Sequence, residues 1–154
     1  MQSSNLQFVK ADDGAFGFDT GVLKGILRNE GKSIGLVPVT YVETGMELTG
    51  GEGLFNHYRV FTLGKRYGYG ARRWASTAKL HEDGSVEVIW EVTAERPFEL
   101  RGTYTLISPN TVDLVTTVRA DAKLEAYEVF LASYYQPPFI INNLLSNNLT
   151  SITI

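Results

Sequence analysis

Apolar and polar positions alternate along most of this chain with a period of two. Val86, Val88, Trp90 and Val92 alternate with Glu87, Ile89, Glu91 and Thr93, the pattern of a strand with one apolar and one mostly polar face. Val112, Leu114, Thr116 and Val118 alternate with Asp113, Val115, Thr117 and Arg119 in the same way. Strands are also predicted over Leu6–Lys10, Ala15–Thr20, Gly21–Arg28, Ser33–Val42, Leu54–Leu63, Arg73–His81 and Phe98–Ile107, where Thr, Val, Tyr and Phe are frequent, as half-buried pleated surfaces favour. Asp121–Ala132 fits two patterns. Asp121 as N-cap, with Leu124, Tyr127, Glu128 and Leu131 on one side, would make a helix. The alternation of Glu125, Tyr127, Val129, Leu131 and Ser133 with Leu124, Ala126, Glu128, Phe130 and Ala132 makes Leu124–Tyr135 a strand, and the β-formers in its second half favour that reading.

Asp12-Asp13-Gly14, Asn29-Glu30-Gly31, Glu82-Asp83-Gly84 and Ser108-Pro109-Asn110 have the chemistry of tight turns, because Gly and Asn accept positive φ and Asp bonds the local backbone. Strands joined by such short turns pair antiparallel. Roughly ten strands with turns about every 8–12 residues predict an all-β fold, an antiparallel β-sandwich or barrel with little helix. Residues 1–138 read as one domain. The tail 139–154 holds four of the eight asparagines and no charge, which suits an added strand, a truncated continuation or a segment that pairs with a partner. Asn148-Leu149-Thr150 fits the N-glycosylation pattern.

Composition narrows the function classes. The 154 residues carry 14 basic and 17 acidic side chains, net −3, so no global field favours nucleic acid or a membrane and any electrostatic attraction is local. The absence of cysteine excludes disulfides and thiolate metal sites. The first residues lack a basic segment followed by an apolar run, so no signal peptide is visible. No apolar stretch reaches the ~18 residues of a membrane span, and a soluble protein is expected. No phosphate-loop pattern, metal-ligand cluster or G-x-S-x-G elbow occurs. No cofactor or metal is expected.

Gly50–Trp74 departs from the strand pattern. Arg59, Lys65, Arg66, Arg72 and Arg73 are basic, no acidic residue lies between Arg59 and Arg73, and Phe55, His57, Tyr58, Phe61, Tyr67, Tyr69 and Trp74 supply rings. Arginines hold carboxylates or phosphates through two parallel hydrogen bonds, and tyrosine and tryptophan stack on sugar faces. Rings with cations also suit single-stranded nucleic acid, but the chain is acidic and has no RNP-type sequence. The structural alternative is that Arg72 and Arg73 pair with Glu87 and Glu91 across a hairpin. Period two puts His57 on one face with Phe55, Arg59 and Phe61, where like charge would push its pKa down and leave a neutral acid/base or hydrogen-bonding group. A structural histidine bonded to a backbone carbonyl is the plainer alternative. Glu52 is a partner for a bound hydroxyl or for Arg59, or else a solvated loop acid. His81 reads as a solvated turn residue.

From Gly50 to Pro138 the order GGEGLFNHYRVFT, GKRYGYGARRW, STAKLHEDGSVEVIWEV, PFELRGTYTLISPNTVDLVTTVRA and EAYEVFLASYYQPPF resembles the N-terminal portion of the galactose mutarotase-like superfamily. The resemblance implies a supersandwich with sugar on a concave β-face. In aldose epimerases of that superfamily a His acid and a Glu base open and reclose the sugar ring, and an Asn-Arg pair holds hydroxyls. By position and type Asn56, His57 and Arg59 stand in the binding part, while no residue matches the catalytic Glu. Such enzymes run to about twice this length, so the chain is expected to be a fragment or to lack the catalytic half.

Three functions are expected on these grounds. The first is binding of a carbohydrate or acidic polyhydroxylated ligand, with Asn56, Arg59, Arg72 and Arg73 on polar groups, Tyr58, Tyr67, Tyr69 and Trp74 as a stacking platform and His57 as a hydrogen-bonding group. The second is an epimerase-like, sugar-processing isomerase with His57 as acid/base, assisted by Glu52. The third is an interaction module, a homo-oligomer formed through a sheet edge or through residues 139–154.

Overall fold

The computed structural model describes residues 5–28, 31–137 and the backbone of 151–153. The chain enters a meander of β1 (Val9–Lys10), β2 (Phe16–Asp19), β3 (Leu23–Leu27), β4 (Leu36–Tyr41) and β5 (Met46–Glu47). It continues through β6 (Asn56–Thr62), β7 (Lys65–Arg66), a 3-10 turn at Ala71–Arg73, β8 (Thr77–Leu80), β9 (Val86–Trp90), β10 (Phe98–Ser108), β11 (Thr111–Ala120), β12 (Glu128–Ala132) and β13 (Ser151–Thr153). Every pairing is antiparallel. The strands form three sheets: β1-β2-β3-β4-β5, β13-β11-β10-β9-β8, and β12-β6-β7. The all-β antiparallel sandwich expected from the alternation is the fold observed. Among the described residues no helix is long and apolar enough to cross a membrane.

The turns work as their side chains suggest. Asp13 Oδ1 accepts the Ala15 amide at 3.0 Å, and Asp83 Oδ1 accepts the amide and hydroxyl of Ser85 at 2.9 and 2.6 Å. Asn29 and Glu30 of a further expected turn lie outside the described residues, as do the glycosylation pattern and all of the tail before Ser151. Ser151–Thr153 adds a strand to the edge of β11, with Ser151 opposite Asp113 and Thr153 opposite Thr111. Asp121–Tyr127 is irregular, and the next strand starts at Glu128. The helical alternative there is not adopted. Arg73–His81 is shorter than expected: Arg73 belongs to the 3-10 turn, and the strand begins at Thr77.

The third sheet lies against the second. Tyr67 meets Phe98 edge-on at 5.1 Å, His57 meets Trp90 at 4.9 Å, and Tyr104 donates its hydroxyl hydrogen to the Phe55 carbonyl at 3.0 Å. The first sheet joins the third where Leu36 and Leu54 exchange backbone hydrogen bonds. It reaches the second through Thr20 Oγ1 to the Pro109 carbonyl and the Phe8 amide to the Gly84 carbonyl. One core results, with Trp90, Tyr104, Phe16, Phe98, Leu23, Leu27, Leu36, Leu100 and Leu114 fully buried. Each such side chain stabilises the fold by about 2 kcal/mol through apolar burial.

Candidate functional site

The aromatic-basic segment is shaped by one irregularity in β6. Phe130 of β12 pairs with Arg59 and Leu131 pairs with His57, so Tyr58 is an extra residue on β6. Such a bulge leaves one residue unpaired and reverses the facing of the residues beyond it. His57 therefore points into the core and Val60 does so again, while Phe61 packs edge-on at 5.6 Å against Phe130, which is 49% exposed. Two contacts hold the bulge. Just before β6, Phe55 has φ 55°, a conformation costly for a bulky residue, and its amide and carbonyl are tied to Ser133 Oγ and Tyr104 Oη. Behind Tyr58, the backbone of Gly70 (φ 105°) approaches so closely that a Cβ there would overlap the Tyr58 carbonyl.

The expectation that His57 shares a face with Arg59 and Phe61 is thereby corrected. His57 is 1% exposed, its Nε2 lies 3.0 Å from Thr116 Oγ1, and its ring packs on Trp90. Its pKa is lowered to about 3 by burial, which disfavours the charged ring. Desolvation, and not a neighbouring guanidinium, sets its charge state. Asn56 is also fully buried and donates to the Glu52 carbonyl at 2.9 Å, which fixes the loop before β6. Neither residue reaches the aromatic-basic surface, and no hydrogen bond joins Glu52 to His57 among the described residues.

On the outer side of the bulge four chain segments converge. Arg72, from the 3-10 turn, donates to the Glu52 carboxylate. Its guanidinium carbon lies 4.8 Å from the Tyr58 ring centroid. Arg59 sits 4.6 Å from the same centroid and donates to the Tyr58 hydroxyl at 2.9 Å. Tyr134, just after β12, meets Tyr58 edge-on at 6.3 Å, and burial followed by Tyr58 raises its pKa. Among the described residues the buried Nε atoms of Arg59 and Arg72 have no hydrogen-bond partner. The expected pairing of Arg72 and Arg73 with Glu87 and Glu91 is not what forms. Arg72 takes Glu52, read from the sequence as a solvated loop acid or a partner for a bound hydroxyl or Arg59, and Glu87 takes Arg101 at 3.2 Å with His81 at 3.7 Å. Arg73 is exposed.

A few residues further on, the same segment lines a cleft of about 650 Å³. Lys65, Arg66, Tyr67, Gly68 and Trp74 form one part of its lining, and the β9–β10 turn supplies Thr93, Ala94, Glu95 and Arg96. Arg96 places its guanidinium carbon 4.0 Å from the Trp74 ring centroid. Its Nη1 is buried without a partner, and burial lowers its pKa. Lys65 Nζ lies 4.6 Å from the Tyr67 centroid and donates to the Glu95 carbonyl at 3.1 Å. Arg66 donates to the Gly68 carbonyl at 2.8 Å and sits 5.9 Å from the ring of Tyr69, which is 71% exposed. Three cations thus meet one acidic side chain, and all three lie over rings, where the quadrupole holds a cation without consuming its N–H donors.

The sequence-predicted residues therefore fall into three places. Tyr58, Arg59, Arg72 and Glu52 come together on the outer face of the third sheet, Tyr67 and Trp74 line the cleft with Tyr69 at Arg66 beside it, and Asn56 and His57 belong to the interior. Arg96 was missed. Its only local signal is the tight Thr93–Arg96 turn, where each residue's amide bonds the other's carbonyl, placed between two strong strands. Among the described residues no group of three His, Cys, Asp or Glu side chains is arranged to hold a metal ion. Compared with protein-family models, curated proteins and solved structures, the chain matches none.

Proposed function

We propose that the protein binds an acidic carbohydrate, or a related polyhydroxylated anion, in the cleft between β7 and the β9–β10 turn. The observation that carries this reading is Arg96, held over the Trp74 ring in the lining of the cleft. A ligand oxygen would bond the N–H groups that its guanidinium presents to the cleft. Lys65 and Arg66 supply the further positive charge that selects an anionic over a neutral sugar. Trp74 and Tyr67 hold Arg96 and Lys65 over their rings, so that the cations, and not the ring faces, meet the ligand, Tyr67 being only 6% exposed. A volume of about 650 Å³ is in the range of small-molecule sites.

The test is calorimetric titration with uronic acids, sugar phosphates and their neutral counterparts. Acidic sugars should bind, neutral ones should bind more weakly, and Arg96→Gln or Trp74→Ala should each weaken binding about tenfold or more, the size of a charge-assisted hydrogen bond. The proposal is wrong if no acidic sugar binds, or if both variants bind as the wild type does.

A further inference from the structure

We infer that Arg59 and Arg72 form a second, separate oxyanion site on the outer face of the third sheet, and that Glu52 is its built-in competitor. The inference does not rest on the cleft, because neither Trp74 nor Arg96 belongs to it.

Charge accounting comes first. Two guanidiniums lie over one Tyr58 ring, at 4.6 and 4.8 Å from its centroid, and among the described residues the carboxylate there, Glu52, pairs with Arg72 and not with Arg59. Among the described residues Arg59 is left with a phenol as its side-chain acceptor. A single carboxylate on a short side chain reaches one arginine. A phosphate-like group has oxygens on several sides and can bond both, in the bidentate manner guanidinium favours.

Exposure then shows which partner yields. The Arg72 side chain is 14% exposed and the Glu52 side chain 46%. The arginine is fixed beneath the surface by the ring and the 3-10 turn, and the carboxylate approaches it from the solvent side. The backbone that carries Glu52 is anchored: Gly50 donates to the Tyr134 carbonyl at 2.7 Å, Gly53 to the Gly50 carbonyl at 3.1 Å, and Asn56 to Glu52 itself at 2.9 Å. Rotation of the Glu52 side chain into water therefore opens the site without disturbing the turn. A carboxylate is rehydrated cheaply at the surface, whereas a nearly buried Arg72 left alone is costly. The incoming anion replaces Glu52 on Arg72 and adds bonds to Arg59.

The probe is inorganic phosphate, added at constant ionic strength to the full chain, with the arginine Nε–Hε resonances followed by NMR. Saturable shifts are expected at Arg59 and Arg72. Glu52→Gln should tighten phosphate binding by about tenfold, since removing the competitor is worth roughly one charge-assisted hydrogen bond. Arg59→Gln should abolish the shift at Arg72, and Arg96→Gln should leave both shifts intact, which separates this site from the cleft. Linear, unsaturable shifts, or a Glu52→Gln variant that binds phosphate no more tightly than wild type, would overturn the inference. Glu52→Gln keeps an amide oxygen that can still accept from Arg72, so the guanidinium is not left without an acceptor in that variant.

Discussion

The second and third sheets are built from the same residue types and handle charge in opposite ways. In the second sheet the β10–β11 ladder runs from Phe98 opposite Ala120 to Leu106 opposite Val112 without a slip. Regular register puts Phe98, Leu100, Tyr104 and Leu106 in the core and sets Glu99 and Arg101 on the other face, where Glu99 is covered and only 4% exposed. Charges of opposite sign then meet by position alone. Arg101 lies 2.6 Å from Glu99 and 3.2 Å from Glu87, and Arg119 lies 3.4 Å from Glu99. The network is closed. The third sheet is shorter, bulged at Tyr58, and carries its arginines on rings with N–H donors left over. The two sheets thus differ in what holds their cations: carboxylates in the second, and rings with the single carboxylate of Glu52 beside the third.

The strongest way to break this contrast is to remove the bulge. Gly70→Ala combines a φ of 105° with an overlap on the Tyr58 carbonyl, and backbone meeting backbone cannot relax by side-chain rotation. The expected loss is about 3 kcal/mol or more, read from urea unfolding. Gly102→Ala in the regular sheet is the control. A Cβ there would meet His57 Cε1 at 2.8 Å and Leu114 Cδ1 at 3.3 Å, both on side chains that can shift, so about 1–3 kcal/mol is expected. If Gly70→Ala proves the milder of the two, the bulge is not held by this contact.

Acid separates the inner and outer faces. His57 has a folded pKa of about 3 against an ordinary 6.5, so the unfolded chain takes up the proton first. Its contribution is intact above pH 6.5 and is lost toward pH 3 at about 1.4 kcal/mol per pH unit. Glu99 has its pKa lowered from 4.5, chiefly by Arg101. Its contribution is present above that ordinary value and fades only below it, as pH falls through the folded pKa. Between about pH 6 and 5, then, the buried imidazole dominates. Unfolding free energy in that window should fall in wild type and stay nearly level in His57→Gln. An equal slope in both proteins would mean that water reaches the ring.

The regular sheet was legible because alternation is a local property. Val86, Val88 and Trp90 announced the inward face of β9, and β10 and β11 obeyed the same rule. The bulge was not legible. His57, Arg59 and Phe61 alternate with Tyr58 and Val60 as plausibly in one facing as in the other, and what breaks the period is Gly70, which is distant in sequence and adjacent in space. The same limit hid the partners of the cations. Glu52 and Arg72 are joined by the 3-10 turn folding back on β6, and Arg96, in the β9–β10 turn, meets Trp74, which precedes β8 of the same sheet. The two-residue strands β5 and β7 are too short to show a period. The aromatic-basic character of Gly50–Trp74 was visible at once, but its division into a buried half, an arginine pair and a cleft depends on non-local packing.

The smallest expected effect is the most direct measure of the contrast between closed and open charges. Arg101 is more than a third exposed, so water and salt screen its pairing, and a double-mutant cycle between Glu99 and Arg101 should give a coupling of about 0.5–1 kcal/mol. A cycle between Tyr58 and Arg59 should give about 0.5 kcal/mol from the cation over the ring. The two should respond differently to added phosphate. The Glu99–Arg101 pair already joins guanidinium to carboxylate and should only weaken as ionic strength rises. The stability of wild type relative to Arg59→Gln should instead grow with phosphate at fixed ionic strength, because an anion bound only by the folded protein stabilises it by mass action. Growth in both couplings would point to a general salt effect and erase the distinction between the two sheets.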